Sequence, residues 1–246
     1  MEAFDAALLV LGGLAAGVVN TLAGGGSLLT VPLLTFVGLP GTLANGSNRV
    51  GILIQNGVAS WGFWREGVPG LRHAAPLVLP VAVGALIGAY GISRVDDAVF
   101  ERIFGVVMLV LLVPTLRGAT RGAATPRHLP PALRALLFFA IGLYGGAIQA
   151  GVGILLIYGI SWSGVDLVRT NSMKVVINFC FTLLALPIFL LAGQVSWPHA
   201  LALGAGFAAG GALGPRIAVR GGERVIRPVL GVAVVALAGK MLGLYG

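Results

Sequence analysis

Residues 82–106 align without a gap on residues 208–232, at a constant offset of 126. Ala82, Gly84, Gly88, Arg94, Val99, Gly105 and Val106 meet Ala208, Gly210, Gly214, Arg220, Val225, Gly231 and Val232, and Asp97 meets Glu223. Chance in a chain so rich in Gly, Ala and Val gives roughly two or three identities in such a window. The correspondence continues elsewhere. Gly13, Leu14 and Gly17 stand opposite Gly142, Leu143 and Gly146, with Asn20 opposite Gln149; Ser47, Val50 and Ile52 stand opposite Ser172, Val175 and Ile177, with Arg49 opposite Lys174. Only folds assembled from two like halves satisfy this pattern.

Of the 246 residues, 57% are hydrophobic and 10% charged, which places the chain in a lipid bilayer rather than among ordinary soluble domains. The 16 Lys+Arg sit mostly at segment ends and in one linker. That is the cytoplasmic charge bias of a membrane protein, and no nucleic-acid partner is expected. The acidic start, Met1-Glu2-Ala3-Phe4-Asp5, lacks the basic n-region of a signal peptide and reads as uncleaved. Cys180, the only cysteine, excludes an intrachain disulfide.

Apolar segments run at 6–37, 41–64, 74–93, 97–116, 132–161, 165–192, 199–219 and 225–245. Crossing the hydrocarbon takes about 20 helical residues. Six segments fit; the first and fifth are too long, and glycine breaks each, at Ala23-Gly24-Gly25-Gly26-Ser27 and at Gly151-Val152-Gly153. The expected fold is an all-α polytopic membrane protein of two homologous four-segment repeats, each opening with a Gly-broken helix. The first repeat covers 1–116, an Arg-, Gly- and Pro-rich cytoplasmic linker 117–131, and the second repeat 132–246.

The arginines discriminate between two topologies. If both broken segments cross fully, Arg65, Arg72, Arg117, Arg121, Arg127 and Arg134 face one side and Arg94, Arg102, Arg169, Arg216, Arg220, Arg224 and Arg227 the other, which is no bias. If each broken segment dips in and returns, each half has three crossings and the second half is inverted. Arg169, Arg216, Arg220, Arg224 and Arg227 then join the first group, leaving Arg94, Arg102 and Lys240 outside. The charges favour this re-entrant drawing.

Irregular backbone at membrane depth survives only where protein or a polar cavity satisfies it. The breaks therefore mark a binding site, with N–H groups at each new helix start suited to an oxyanion. Around them cluster Asn20, Thr21, Ser27 and Gln149, joined by Asn45, Ser47, Asn48 and Arg49 and by Thr170, Asn171, Ser172 and Lys174, with Gln55, Asn56 and Asn178 deeper. An uncompensated cation inside an apolar segment costs about 2.5–3.5 kcal/mol on insertion scales. No acid stands near Arg49 or Lys174 in sequence, since Glu2, Asp5, Glu66, Asp96, Asp97, Glu101, Asp166 and Glu223 all lie near a chain end or loop. Two cations and many neutral donors describe an anion pocket. Without intramembrane carboxylates there is no obvious proton relay or sodium cage. Export of an anion from an inside-negative cell is already favoured by about 2.3 kcal/mol per charge per 100 mV.

Further features have structural roles. Gly84-x-x-x-Gly88 and Gly210-x-x-x-Gly214 are packing signals; Trp61, Trp64, Trp162 and Trp197 are interfacial anchors; Pro32, Pro80 and Pro187 are expected to kink or end helices. His73, His128 and His199 are too scattered for a metal site.

Asn20-Thr-Leu-Ala-Gly-Gly-Gly-Ser-Leu-Leu-Thr-Val-Pro-Leu-Leu34, Ala44-Asn-Gly-Ser-Asn-Arg-Val50, Gly145-Gly-Ala-Ile-Gln-Ala-Gly-Val-Gly153 and Arg169-Thr-Asn-Ser-Met-Lys174 resemble the TauE/SafE sulfite-exporter family over nearly the whole chain. The resemblance implies a multi-pass transporter of the bacterial inner membrane that carries sulfite, an organosulfonate or a related small anion. The substrate-binding residues it implies are Asn20, Gly24, Gly25, Gly26, Ser27, Ser47, Asn48, Arg49, Gln149, Gly151, Gly153, Thr170, Asn171, Ser172 and Lys174. The expectation is a secondary transporter exporting a small sulfur oxyanion by alternating access. An anion channel and an uptake permease for another organic anion are the alternatives. No enzyme, cofactor or metal is expected. The expected partners are the bilayer and the anion, with a homodimer as the candidate assembly.

Overall fold

The computed structural model describes residues 1–117 and 129–220, all helical apart from turns and short connections. Most of the expected linker and the eighth apolar segment, 225–245, lie outside the described residues. The helices are α1 (Ala3–Ala23), α2 (Ser27–Phe36), α3 (Gly41–Arg65), α4 (Leu71–Ile92), α5 (Asp97–Arg117), α6 (Pro131–Ala147), α7 (Val152–Ser161), α8 (Leu167–Leu191) and α9 (Trp197–Val219).

Local chemistry sets their ends. A capping box between Glu2 and Asp5 starts α1. Pro131 supplies the proline start of α6. Asp166 caps α8 by accepting from the Arg169 amide at 3.0 Å. Pro32, Pro80 and Pro187 end nothing: α2, α4 and α8 run on past them. Trp61, Trp64 and Trp197 lie near helix ends and are more than half exposed.

Four described helices, α1, α4, α8 and α9, are long and apolar enough to cross a membrane. With 25 residues α3 matches α8 in length, but its polar residues lower its hydropathy. Asn45, Ser47, Asn48, Arg49, Gln55 and Asn56 are buried, so α3 is the polar centre of the bundle.

Packing repeats across the two halves. α1 packs on α9 as α6 packs on α4, and α3 packs on α9 as α8 packs on α4, while α3 and α8 meet each other. Lipid gives helices no hydrophobic reason to associate, so close backbone approach has to supply the attraction. Glycine permits it. Gly13 faces Leu203 and Phe207, Gly17 faces Gly210, and Gly214 faces Thr21; Gly142 faces Val81 and Gly146 faces Ala85. Partner numbers rise together in both sets, so α1 runs parallel to α9 and α4 parallel to α6. By contrast Val50 clusters with Leu186, Gly57 lies against Phe179, and Phe63 clusters with Val175, so α3 and α8 run antiparallel. Within each half the helix pair is a hairpin: Gly26 lies against Ala16 and Gly12 against Leu33, while Gly145 lies against Val152 and Gly159 against Ile141.

A Cβ on Gly210 would stand 2.5 Å from the Leu14 carbonyl oxygen, whereas one on Gly91 would meet nothing within 4 Å. Gly210→Val is therefore expected to cost about 1–3 kcal/mol by overpacking, read as a lowered melting temperature in detergent. Gly91→Val should melt like the wild type.

Candidate functional site

The two hairpin tips meet. α1 stops where Gly24 takes the left-handed conformation, φ 78°, and its amide bonds back to the Asn20 carbonyl. The second tip turns through Gln149, φ 65°, and Gly151, φ 69°. The Tyr144 hydroxyl closes this turn by donating to the Ala150 carbonyl. Gly24 packs directly on Gly153, where a Cβ would lie 2.5 Å from the Gly24 Cα. The Ser27 hydroxyl donates to the Gln149 carbonyl at 3.3 Å, joining the tips.

Each tip leaves carbonyls at the end of a helix short of partners in the bundle interior. The other half supplies a cation. Arg49, on α3 and 0% exposed, donates through Nη1 to the Gly145 carbonyl (3.3 Å) and Gln149 Oε1 (2.9 Å). Its Nη2 donates to the carbonyls of Gly146 (2.5 Å) and Ala147 (3.0 Å). The guanidinium also lies 4.1 Å from the Phe189 ring centroid. Lys174, on α8, donates through Nζ to the carbonyls of Asn20 and Thr21, both at 2.8 Å, and to Asn171 Oδ1 at 2.7 Å. Thus α3 of the first half caps α6, and α8 of the second half caps α1. The macrodipole places about half a negative charge at a helix C-terminus, so burial of each cation is offset where that charge sits. Asn45 adds a bond to the Ala147 carbonyl (3.0 Å), and Asn171 one to the Leu22 carbonyl (3.3 Å).

Amides fix the rest of the tips. Asn20 Nδ2 donates to Gln55 Oε1 (2.7 Å), and Gln55 Nε2 to Thr21 Oγ1 (2.8 Å). Gln149 Nε2 donates to Asn178 Oδ1 (3.0 Å) and Thr182 Oγ1 (3.1 Å). Thr30 of α2 donates to Asn48 Oδ1 at 2.6 Å. Among the described residues no backbone carbonyl accepts from the N–H groups of Gly25, Gly26, Ser27, Gly151 or Gly153. With the tips in contact, the N-termini of α2 and α7 offer these donors close together, an arrangement suited to an anion.

Asn20, Gly24 to Ser27, Asn48, Arg49, Gln149, Gly151, Gly153, Asn171 and Lys174 are thus brought to one centre. Ser47, Thr170 and Ser172 are not: Ser47 Oγ accepts from the Ser196 amide (2.8 Å) before α9, Ser172 donates to the Val68 carbonyl (2.6 Å) before α4, and Thr170 donates to the Val165 carbonyl (3.3 Å). These three tie loops. Thr182 and Phe189 serve the centre without any mark in the sequence, and Thr30 with none beyond its place in the Asn20–Leu34 stretch, since a lone Thr or Phe in an apolar segment looks like ordinary packing. A separate groove of about 220 Å³ lies at the end of α3, lined by Trp61, Arg65, Glu66, Leu213, Pro215 and Arg216. At 100° per residue Arg65 falls on the face of α3 away from Arg49, so the groove is not part of this centre.

The tips also set a ranking. A side chain at Gly24 or Gly151 is strained by about 1–2 kcal/mol because φ is positive. At Gly24 the new Cβ would further meet the Gly153 and Ile154 backbone, at Gly151 only the movable side chains of Leu111 and Leu28. Gly24→Ala is expected to lower the melting temperature more than Gly151→Ala does.

The model of the family described as "Sulfite exporter TauE/SafE" matches residues 9–241. A probable membrane transporter protein, ORF9, of Sinorhizobium sp is 27% identical over 242 residues, covering 96% of this chain and 92% of the relative. One from Haemophilus influenzae is 28% identical, covering 96% and 94%. The Escherichia coli probable membrane transporter protein YfcA is 26% identical, covering 92% and 86%. No solved structure matches the chain.

Proposed function

The chain belongs to the sulfite exporter TauE/SafE family of membrane transporters, and on that basis we propose that it exports a small sulfur oxyanion, sulfite or an organosulfonate, by alternating access between its halves. The observation that carries this reading is the meeting of two hairpin tips, each capped by a cation from the opposite half. At each tip a helix C-terminus, which repels anions, lies beside a helix N-terminus, which attracts them. Arg49 and Lys174 cancel the first field, and the N–H groups of α2 and α7 supply the second. The cations therefore act through the carbonyls they hold, and the anion binds to backbone donors. Because both halves contribute, moving one against the other exposes the centre to alternate sides.

Inverted, re-entrant halves fit this mechanism. Two geometric facts support them: α2 returns along α1 as α7 does along α6, and the matched helices α3 and α8 run antiparallel. The N-terminus is then outside, with Arg65, Arg72, Arg134, Arg169 and Arg216 cytoplasmic, as the charge bias requires. Impermeant thiol reagents applied to intact cells should reach a cysteine at position 2 but not one in the 117–131 linker. Labelling of both from one side would restore fully crossing segments.

Purified protein in liposomes loaded with sulfite is expected to release it with saturation and counterflow; linear flux without counterflow is the channel outcome. Arg49→Gln and Lys174→Gln should each slow release at least tenfold and lower the melting temperature, because carbonyls lose their cap. Arg49→Lys, which keeps the charge but not the fork, should fall between. Wild-type flux in both Gln variants would refute the role given to the tips.

A further inference from the structure

Buried polar atoms without a protein partner are rare and costly, so a native structure retains them where water, a ligand or another state uses them. Among the described residues six side-chain atoms are in this condition: Asn45 Oδ1, Asn48 Nδ2, Arg49 Nε, Asn56 Oδ1, Ser60 Oγ and Gln194 Oε1. Five of the six belong to α3. At 100° per residue those five side chains fall within about 120° of one another, and Ser60 stands about 16 Å beyond Arg49 along the axis. They form a track of polar groups along one face of the helix, starting at the tips and interspersed with the buried apolar Ile52 and Ala59.

Among the described residues no partnerless atom marks α8, whose buried polar residues beyond Lys174, namely Asn178 and Thr182, both hold Gln149. With Ser47 and Arg49 opposite Ser172 and Lys174, Asn56 corresponds to Phe181 and Ser60 to Ala185. Both are fully buried apolar residues in the core. Phe181 packs with Val152 and Leu156, and Ala185 with Phe189. The two halves share the cation and differ in the residues beyond it.

We propose that Asn56 and Ser60 line the route by which the anion and its water reach the tips from the cytoplasmic end of α3, a route for which α8, the counterpart helix, has no equivalent. The proposal rests on the transport reading above. Asn48 Nδ2 offers a donor to the passing anion at the start of the track, and Arg49 Nε one to its water. Further along, Asn56 Oδ1 accepts and Ser60 Oγ both donates and accepts, which suits water around the anion better than the bare anion itself. In this structure the track is packed shut, and its groups find partners when the route opens.

Asn56→Leu/Ser60→Ala removes the lone oxygens while keeping similar volumes. A purely structural track predicts a protein at least as stable with normal flux. The proposal predicts an unchanged or raised melting temperature with sulfite release from liposomes slowed fivefold or more, while Ala185→Ser leaves release unchanged. Normal release in the double variant overturns it. Should the wild type carry no sulfite, or the double variant fail to fold, cysteine labelling decides instead. On a Cys180→Ala background, Ser60→Cys should react with a small water-soluble methanethiosulfonate at least tenfold faster than Ala185→Cys. Equal rates, or no reaction at either, overturn the proposal whatever the substrate is.

Discussion

Everything near the centre depends on one exchange: each half lends a cation to the exposed carbonyl end of a helix in the other. In water a helix end is satisfied by solvent, but in the bundle interior several unpaired carbonyls together would cost more than the marginal stability of most domains. A guanidinium or an ammonium solves this efficiently because it brings several donors on one side chain. It also brings charge of the sign that the macrodipole calls for. The burial of Arg49 and Lys174, which would be expensive for either alone, becomes the means by which the ends of α1 and α6 are held in the bundle interior.

Close packing and polar satisfaction reinforce one another here. The glycines of α1, α4, α6 and α9 bring backbones near enough for short-range attraction to hold the outer pairs. That leaves α3 and α8 in the middle, where their polar residues reach the tips. The tips are not equal, however. One turns on Gly24, which adopts positive φ freely; the other turns on Gln149, a residue that does so only under constraint. Its side chain is gripped at both ends, by Arg49 on the oxygen and by Asn178 and Thr182 on the nitrogen.

The sequence makes the doubling, the glycine interruptions and the Arg49 and Lys174 pair readable, because each is a local pattern repeated at a fixed offset. What the cations hold is not readable. Periodicity gives the face of a helix, not its neighbour, so a cation facing a ligand and a cation facing a helix end look alike. Ser47 and Ser172 show the same limit: their matched positions identified them as a pair, but only the fold reveals that they fasten the loops before α9 and α4. The partnerless atoms of α3 belong to this class too, since an unmet hydrogen bond exists only once the surroundings are known.

The distance along the chain between a helix end and its cap has a consequence for biogenesis. Lys174 lies 154 residues after Asn20, whose carbonyl it holds. At ribosomal speeds of about 5–20 residues per second, the first hairpin waits roughly 8–30 s for that ammonium. Arg49 is in the opposite position, made well before the α6 carbonyls it will cap. During insertion the nascent chain thus holds a cation without its helix end and a helix end without its cation. Water, lipid headgroups or the insertion machinery must shelter both until the second half arrives.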